Sequence, residues 1–407
     1  IVACAEEKGI HVERDEVGNV LLRKPASRGM ENRKPVVLQA HLDMVPQKNN
    51  DTAHDFTKDP IQPYIDGDWV KARGTTLGAD NGIGMASALA VLADDSVSHG
   101  PIEVLLTMTE EAGMEGAFGL KAGWLQADIL INTDSEEEGE IYMGCAGGID
   151  FITTLPLQRE AVPAGHDIVK LTLKGLKGGH SGGDIHLGLG NANKLLARFL
   201  SGHAAELGLR VLDLNGGTLR NAIPREAIAV LAVPTANLAK LKTLAETFQN
   251  MLQVELAAVE KNLSVQVETA QSGSQALTAD SQQRFIALLN ATPNGVIRMS
   301  DEVKGVVETS LNVGVVTTDA KEAQIICLIR SLIDSGKDAV VSQLNSIGEL
   351  AGAHVEAKGS YPGWKPDANS PVMHLVRETY QKLFDTTPNI IVIHAGLECG
   401  LFKKPYP

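Results

Sequence analysis

What this chain lacks narrows its function before any motif is considered. No apolar run approaches the ~20 residues of a membrane-spanning helix. The opening IVACAEEKGIHVERDEVGN has no basic stretch followed by an apolar core, so it does not read as a secretory leader. Positive charge is short as well. The formal net charge is −14 and no long basic run occurs, which argues against nucleic acid, because neutralising phosphates takes a basic face. The four cysteines, Cys4, Cys145, Cys327 and Cys399, are scattered with no CxxC spacing. They suit a reducing cytoplasm better than a disulfide framework or a thiolate zinc site. No GxSxG elbow presents a serine nucleophile. The glycines of GADNGIG and GGHSGG fit neither GxGxxG nor the GxxxxGK phosphate loop, and Asp80 would repel a phosphate, so nucleotide binding has little support.

What is present is the composition of a globular protein, 43% hydrophobic and 21% charged with 40 glycines. A chain of 407 residues exceeds one ordinary core, so two domains are expected. The first residue is not Met and GLFKKPYP has no helix-terminating signal, so further chain is expected beyond both ends. Three apolar runs, PVVLQAHLD, EVLLTMTEE and ADILINTDSEEE, read as central strands of a sheet covered by helices on both sides. Between the first two, LGADNGIGMASALAVLADD has the periodicity of a helix. An α/β catalytic domain with a central, mostly parallel sheet is therefore expected over 1–148. From 149 to 362 the alternation of FITTLPL and DIVKLTLKGL and the amphipathic NANKLLARFLSGHAAEL indicate an inserted α+β domain. YPGWKPDANSP reads as the return linker. The catalytic domain then resumes over 363–407 with a helix in VMHLVRETYQKLF and a strand and Gly-rich loop in NIIVIHAGLECGLF.

Ligands of open α/β sheets collect beyond the carboxyl ends of the strands. Here those ends carry His41 and Asp43, Glu110 and Glu111, and Asp134. One imidazole among carboxylates suits a borderline divalent ion, Zn2+ first and Co2+ or Mn2+ after it. Asp43, two residues after His41 and on the same strand face, is placed to orient the imidazole. Glu110 and Glu111, adjacent on an extended strand, would point to opposite sides. Asp80 taken alone reads as a helix cap; with the other carboxylates converging it reads as a ligand. Glu136, Glu137 and Glu138 read as a solvated charge run, and His54, His99, His166 and His203 as surface residues.

HLDMVP, GADNGIG, TEEAGMEG, NTD, GGHSGG and NAIP occur in the order found in the di-zinc aminopeptidase/carboxypeptidase superfamily, which includes the aminoacylases and carnosinase-like dipeptidases. The chain resembles that superfamily over nearly its whole length. HAGLECGLF and the finer wording of the other motifs resemble its bacterial branch acting on Xaa-His dipeptides. The resemblance implies that His41 and Asp134 bind one metal, Glu111 the other, and Asp80 both. Asp43 would orient His41, and Glu110 would be the general base. The family's second metal takes a further His from a segment downstream of HAGLECG, expected beyond Pro407. His180 would polarise the scissile carbonyl, in relatives often across a dimer interface, so the inserted domain is expected to serve as a lid and in homodimerisation. Asn221, Arg330 and Gly396 match positions linked with substrate binding. A guanidinium can hold a free carboxylate bidentately, and Gly396 would let the backbone come close to a substrate. His180 as a plain loop residue and Arg330 as a structural ion-pair partner are the bland alternatives.

Two metals ~3.5–4 Å apart can lower the pKa of a shared water to about 7. Glu110 would take the water's proton and return it to the leaving amine. The expected activity is a cytoplasmic metallopeptidase that hydrolyses dipeptides with a free carboxylate, above all Xaa-His. A two-metal carboxypeptidase, a tripeptidase, an N-acyl amino-acid hydrolase and a catalytically impaired metal-binding module are the rivals.

Overall fold

The computed structural model describes residues 1–48, 52–270 and 273–406. The chain forms two compact units, one of Ile1–Met143, Asp367–Ile391 and Leu397–Pro407, the other of Gly144–Pro366 and Val392–Gly396.

The first unit is built on a five-stranded sheet in the order His11–Arg14, Val20–Lys24, Ile102–Thr107, Val36–His41, Ile129–Asn132. The last three strands are mutually parallel, as the apolar runs predict. The two outer strands join antiparallel, so the sheet is mixed. Strand Ile102–Thr107 is buried at every position, which explains its apolar run Val104–Leu106; the buried Glu103 is paired with Arg23. Helix Ala79–Ala93 lays Ala88 and Leu92 against Ala40, Val104 and Leu106 on one face. In the parallel register His41 lies beside Thr107 and Gln39 beside Asn132, so the strand ends that carry the acidic motifs finish level with one another.

Three local expectations change. The third strand stops at Thr107, where Thr109 turns left-handed with φ 56°, and Glu110–Gly113 form a helical turn. Glu110 and Glu111 are thus neighbours on a helical turn, not opposite-facing residues of a strand. The Gly-rich stretch after Asn389–Ile393 contains a short helix, Glu398–Phe402, with Leu401 and Phe402 buried. His99, expected at the surface, is buried, with Nδ1 2.7 Å from the Gly100 carbonyl and its backbone bonded to Ser27.

The second unit is an antiparallel sheet in the order Ser264–Thr269, His166–Lys174, Ala227–Pro234, Arg210–Gly216, Val307–Thr318, Glu322–Ser331, Gly147–Pro156, His354–Tyr361, with Gly295–Met299 beside Val307–Thr318. Helices Ala192–Leu207, Leu238–Glu255, Ala279–Ala291 and Asp334–Ala351 share one apolar core with it, in which Phe151, Phe199 and Phe285 are fully enclosed. Val392–Gly396 groups with this unit and not with the 363–407 segment around it. Ala146 N–H donates to the carbonyls of both Ile393 and Ala395, tying the segment to the start of the second unit.

Candidate metal centre

His41 ends its strand and is 2% exposed. Its Nδ1 lies 2.9 Å from the Asp43 carbonyl and 3.4 Å from Asp43 Oδ1. Its Nε2 is 3.0 Å from Asp80 Oδ1 and 3.1 Å from Asp134 Oδ1. The Asp43 carboxylate accepts from the backbone N–H groups of Glu110, at 2.9 Å, and Glu111, at 3.1 Å. It therefore steadies the imidazole and also the turn that presents both glutamates. Asp80 does not cap its helix. The backbone at Asp80 and Asn81 is non-helical, the two are joined by a cis peptide bond, and the N-cap residue is Gly78. Gly84 lets this helix come against the Asp134 turn: a Cβ there would sit 2.5 Å from the Thr133 carbonyl oxygen.

Two triads follow, His41 with Asp80 and Asp134, and His41 with Glu110 and Glu111, each with donor atoms within 4.8 Å of one another. Such crowded carboxylates hold protons tightly. Burial, the charge of Asp134 and that of Glu398 push Glu110 up to about 8. Burial opposes charging His41, but the bonds to Asp134 and Asp80 and the charges of Asp134 and Glu110 outweigh it and raise its pKa to about 10. Glu111 is raised by burial and by Asp80. Glu136 is exposed, as a solvated run predicts, yet its pKa is also raised, by burial and by its proximity to Asp80. Asp134 Oδ1 is buried, with His41 Nε2 at 3.1 Å as its close neighbour. One imidazole nitrogen, several oxygen donors within 4.8 Å of one another and surplus negative charge together fit a divalent cation.

Beneath these groups the sequence reading missed Glu398, 2% exposed, whose Oε2 accepts from Gln39 Nε2 at 2.7 Å and Thr107 Oγ1 at 2.8 Å. The available signal was Gln39, Thr107 and Asn132, polar residues set in otherwise apolar strands.

In the second unit His180 and Asn221 are brought together, because Gly179 and His180 pair with Ile223 and Ala222 and the Asn221 carbonyl accepts from Ser181 N–H. His180 Nδ1 accepts from Gly183 N–H at 2.9 Å, so a neutral ring carries its proton on Nε2. Partial desolvation and the charge of Arg330 lower its pKa and favour that neutral form, although the residue as a whole is exposed. Arg330 is buried; Nη1 donates to Tyr361 Oη and Nε has no partner. It forms no ion pair among the described residues. Gly182 is a close-approach position, since a Cβ would lie 1.9 Å from the His394 carbonyl oxygen. That contact carries the segment leading to Gly396 alongside the His180 loop.

A mixed α/β unit whose strand ends gather imidazole and carboxylates defines a metal-dependent hydrolase, and the comparisons agree. Residues 37–407 match Peptidase family M20/M25/M40, and the chain belongs to that family. It is 75% identical over 407 residues to the cytosol non-specific dipeptidase of Escherichia coli (strain K12), covering all of this chain and 84% of that protein. The crystal structure of aminoacylhistidine dipeptidase from Vibrio alginolyticus is 62% identical with a TM-score of 0.91, covering 100% of this chain and 83% of that one. An aminopeptidase PepT from Bacillus cereus shares the fold at 18% identity and a TM-score of 0.55, over 99% of this chain and 80% of that one. Among the described residues no helix is long and apolar enough to cross a membrane.

Proposed function

We propose that the chain is a cytoplasmic, metal-dependent dipeptidase acting on small peptides with a free carboxylate, Xaa-His dipeptides among them. The observation that carries this is the convergence of Asp80, Glu110, Glu111 and Asp134 on the buried imidazole of His41. The names of the two relatives above 60% identity support the choice of dipeptides. His41 and Asp134 would hold one Zn2+ and Glu111 a second, with Asp80 shared between them; Co2+ or Mn2+ suits the same donors. Bound there, such ions supply Lewis acidity that activates water and polarises a carbonyl. Asp43 keeps the His41 ring and the Glu110–Glu111 turn in place. Glu110 takes the proton of the attacking water and delivers it to the departing amine.

In the second unit, His180 Nε2–H would donate to the scissile carbonyl oxygen as charge develops on it. Arg330, with its unpartnered Nε, would receive the substrate carboxylate, alongside Asn221 and the backbone at Gly396. The same unit is proposed to mediate a homodimer. The test is hydrolysis of β-alanyl-histidine, leucyl-histidine, a tripeptide and an N-acetyl amino acid by the metal-loaded protein. Both dipeptides should be cleaved; turnover of the N-acetyl amino acid alone would overturn the proposal.

A further inference from the structure

Glu398 is a buried carboxylate outside the two ligand triads, and its hydrogen bonds lead to the backbone of a proposed ligand. Glu398 Oε2 accepts from Gln39 Nε2. That choice fixes which way the Gln39 amide faces, because a carboxylate oxygen in this position offers no donor to it. Gln39 Oε1 must then face the other way, where it accepts from Asn132 Nδ2 at 2.5 Å. Asn132 Oδ1 in turn accepts from the backbone N–H of Asp134 at 3.0 Å. Thr107 Oγ1 gives its one proton to Glu398 Oε2 and accepts from Gln39 Nε2 at 3.1 Å, which joins the three side chains into one buried cluster. Gln39 also anchors the other side of the Asp134 turn, since its backbone carbonyl accepts from Thr133 N–H at 2.9 Å and Thr133 Oγ1 at 3.0 Å. Gln39 and Thr107 are wholly buried, so their bonds to Glu398 are shielded from competing water, whereas Asn132 is half-buried.

We infer that Glu398 is a positioning residue for the metal centre: by accepting from Gln39 and Thr107 it sets the direction of the Gln39–Asn132 amide chain and so fixes the Asp134 turn beside His41. This rests on the proposed metal site. The role is that of an acceptor and not of a metal ligand or a charge. Both of its bonds end on a single oxygen, which the carbonyl oxygen of a glutamine can replace. An alanine would leave Gln39 Nε2 and Thr107 Oγ1 without that acceptor and free the amide chain to turn over. Partners that orient ligands are worth about 10–100-fold in metal affinity.

The test is Zn2+ affinity of the metal-stripped full-length protein, measured by competition with a chromophoric chelator, with circular dichroism to check folding. E398Q should bind within about threefold of wild type. E398A and N132A should each bind about 10–100-fold more weakly, and the double variant no more weakly than the worse single one, because both cut the same chain. Wild-type affinity in a folded E398A or N132A overturns the inference. So does E398Q as weak as E398A, which would assign the effect to charge, and so does a double variant whose losses add. If E398A does not fold, N132A and E398Q decide by the same criteria. Absence of Zn2+ binding by wild type overturns the metal reading and this inference with it, whereas binding that is indifferent to these substitutions overturns the inference alone.

Discussion

Both units bury charged side chains, but the two match them differently. In the second unit Lys337, Glu260 and Lys194 each meet an opposite or complementary partner, whereas buried Arg330 has no ion pair among the described residues. Lys337 Nζ donates to Asp334 Oδ1 and the Tyr361 carbonyl. Glu260 accepts the N–H groups of Lys177 and Gly190. Lys194 donates to the carbonyls of Leu289 and Asn290, closing the end of helix Ala279–Ala291. Around His41 the balance fails, with one imidazole facing Asp80, Glu110, Glu111 and Asp134. Matched burial costs little and holds a fold together, whereas unmatched burial is expensive and is retained where a ligand completes it. The missing charge around His41 is positive and the donors are those of a divalent ion.

Removing a group from the unmatched set should reveal chemistry. Glu110→Gln should lower kcat by about 10²–10⁴-fold while metal content stays at the wild-type level; steady-state kinetics with elemental analysis checks both. Glu111→Ala should lower the number of ions bound per chain, and an unchanged stoichiometry would refute its ligand role. Removing the metals should expose the imbalance as a pH effect on stability. In the metal-free fold Glu110 and Glu398 are raised from 4.5 to about 8 and about 7, and His41 from 6.5 to about 10. These groups bind protons more tightly folded than unfolded. Their contribution is therefore complete below the unfolded values and is lost as pH rises through the folded ones. The Tm of metal-stripped protein should fall between about pH 5 and pH 10, and Zn2+ should flatten that slope. Tm scans with and without Zn2+ measure this, and a slope the metal leaves unchanged would contradict it. The smallest effect belongs to the matched set. Lys194→Met should cost about 1–3 kcal/mol by leaving carbonyls at a helix end without their donor, with Zn2+ affinity unaltered; denaturant unfolding beside a metal titration shows whether the two separate.

The strand ends could be read from sequence because the buried parallel strands are mostly apolar and run straight into His, Asp or Glu, so His41 and Asp134 stood out. Helix Ala192–Leu207 of the second unit was legible for a similar reason, since it repeats its buried residues at helical spacing. The geometry of Glu110 and Glu111 was not legible. It depends on Thr109 adopting a left-handed conformation, which no pattern of apolar residues announces. Glu398 was hidden for a different reason. Its partners Thr107 and Gln39 are 291 and 359 positions away, so only the folded chain brings that carboxylate beneath the strand ends.

The central claim is that the unmatched carboxylates around His41 exist to hold divalent cations. Calorimetric titration of Zn2+ into the metal-stripped protein, beside a His41→Ala variant, tests it most directly. Saturable binding of two ions per chain that is weakened at least tenfold by the substitution is the predicted result; no saturable binding, or equal binding by the variant, would contradict it.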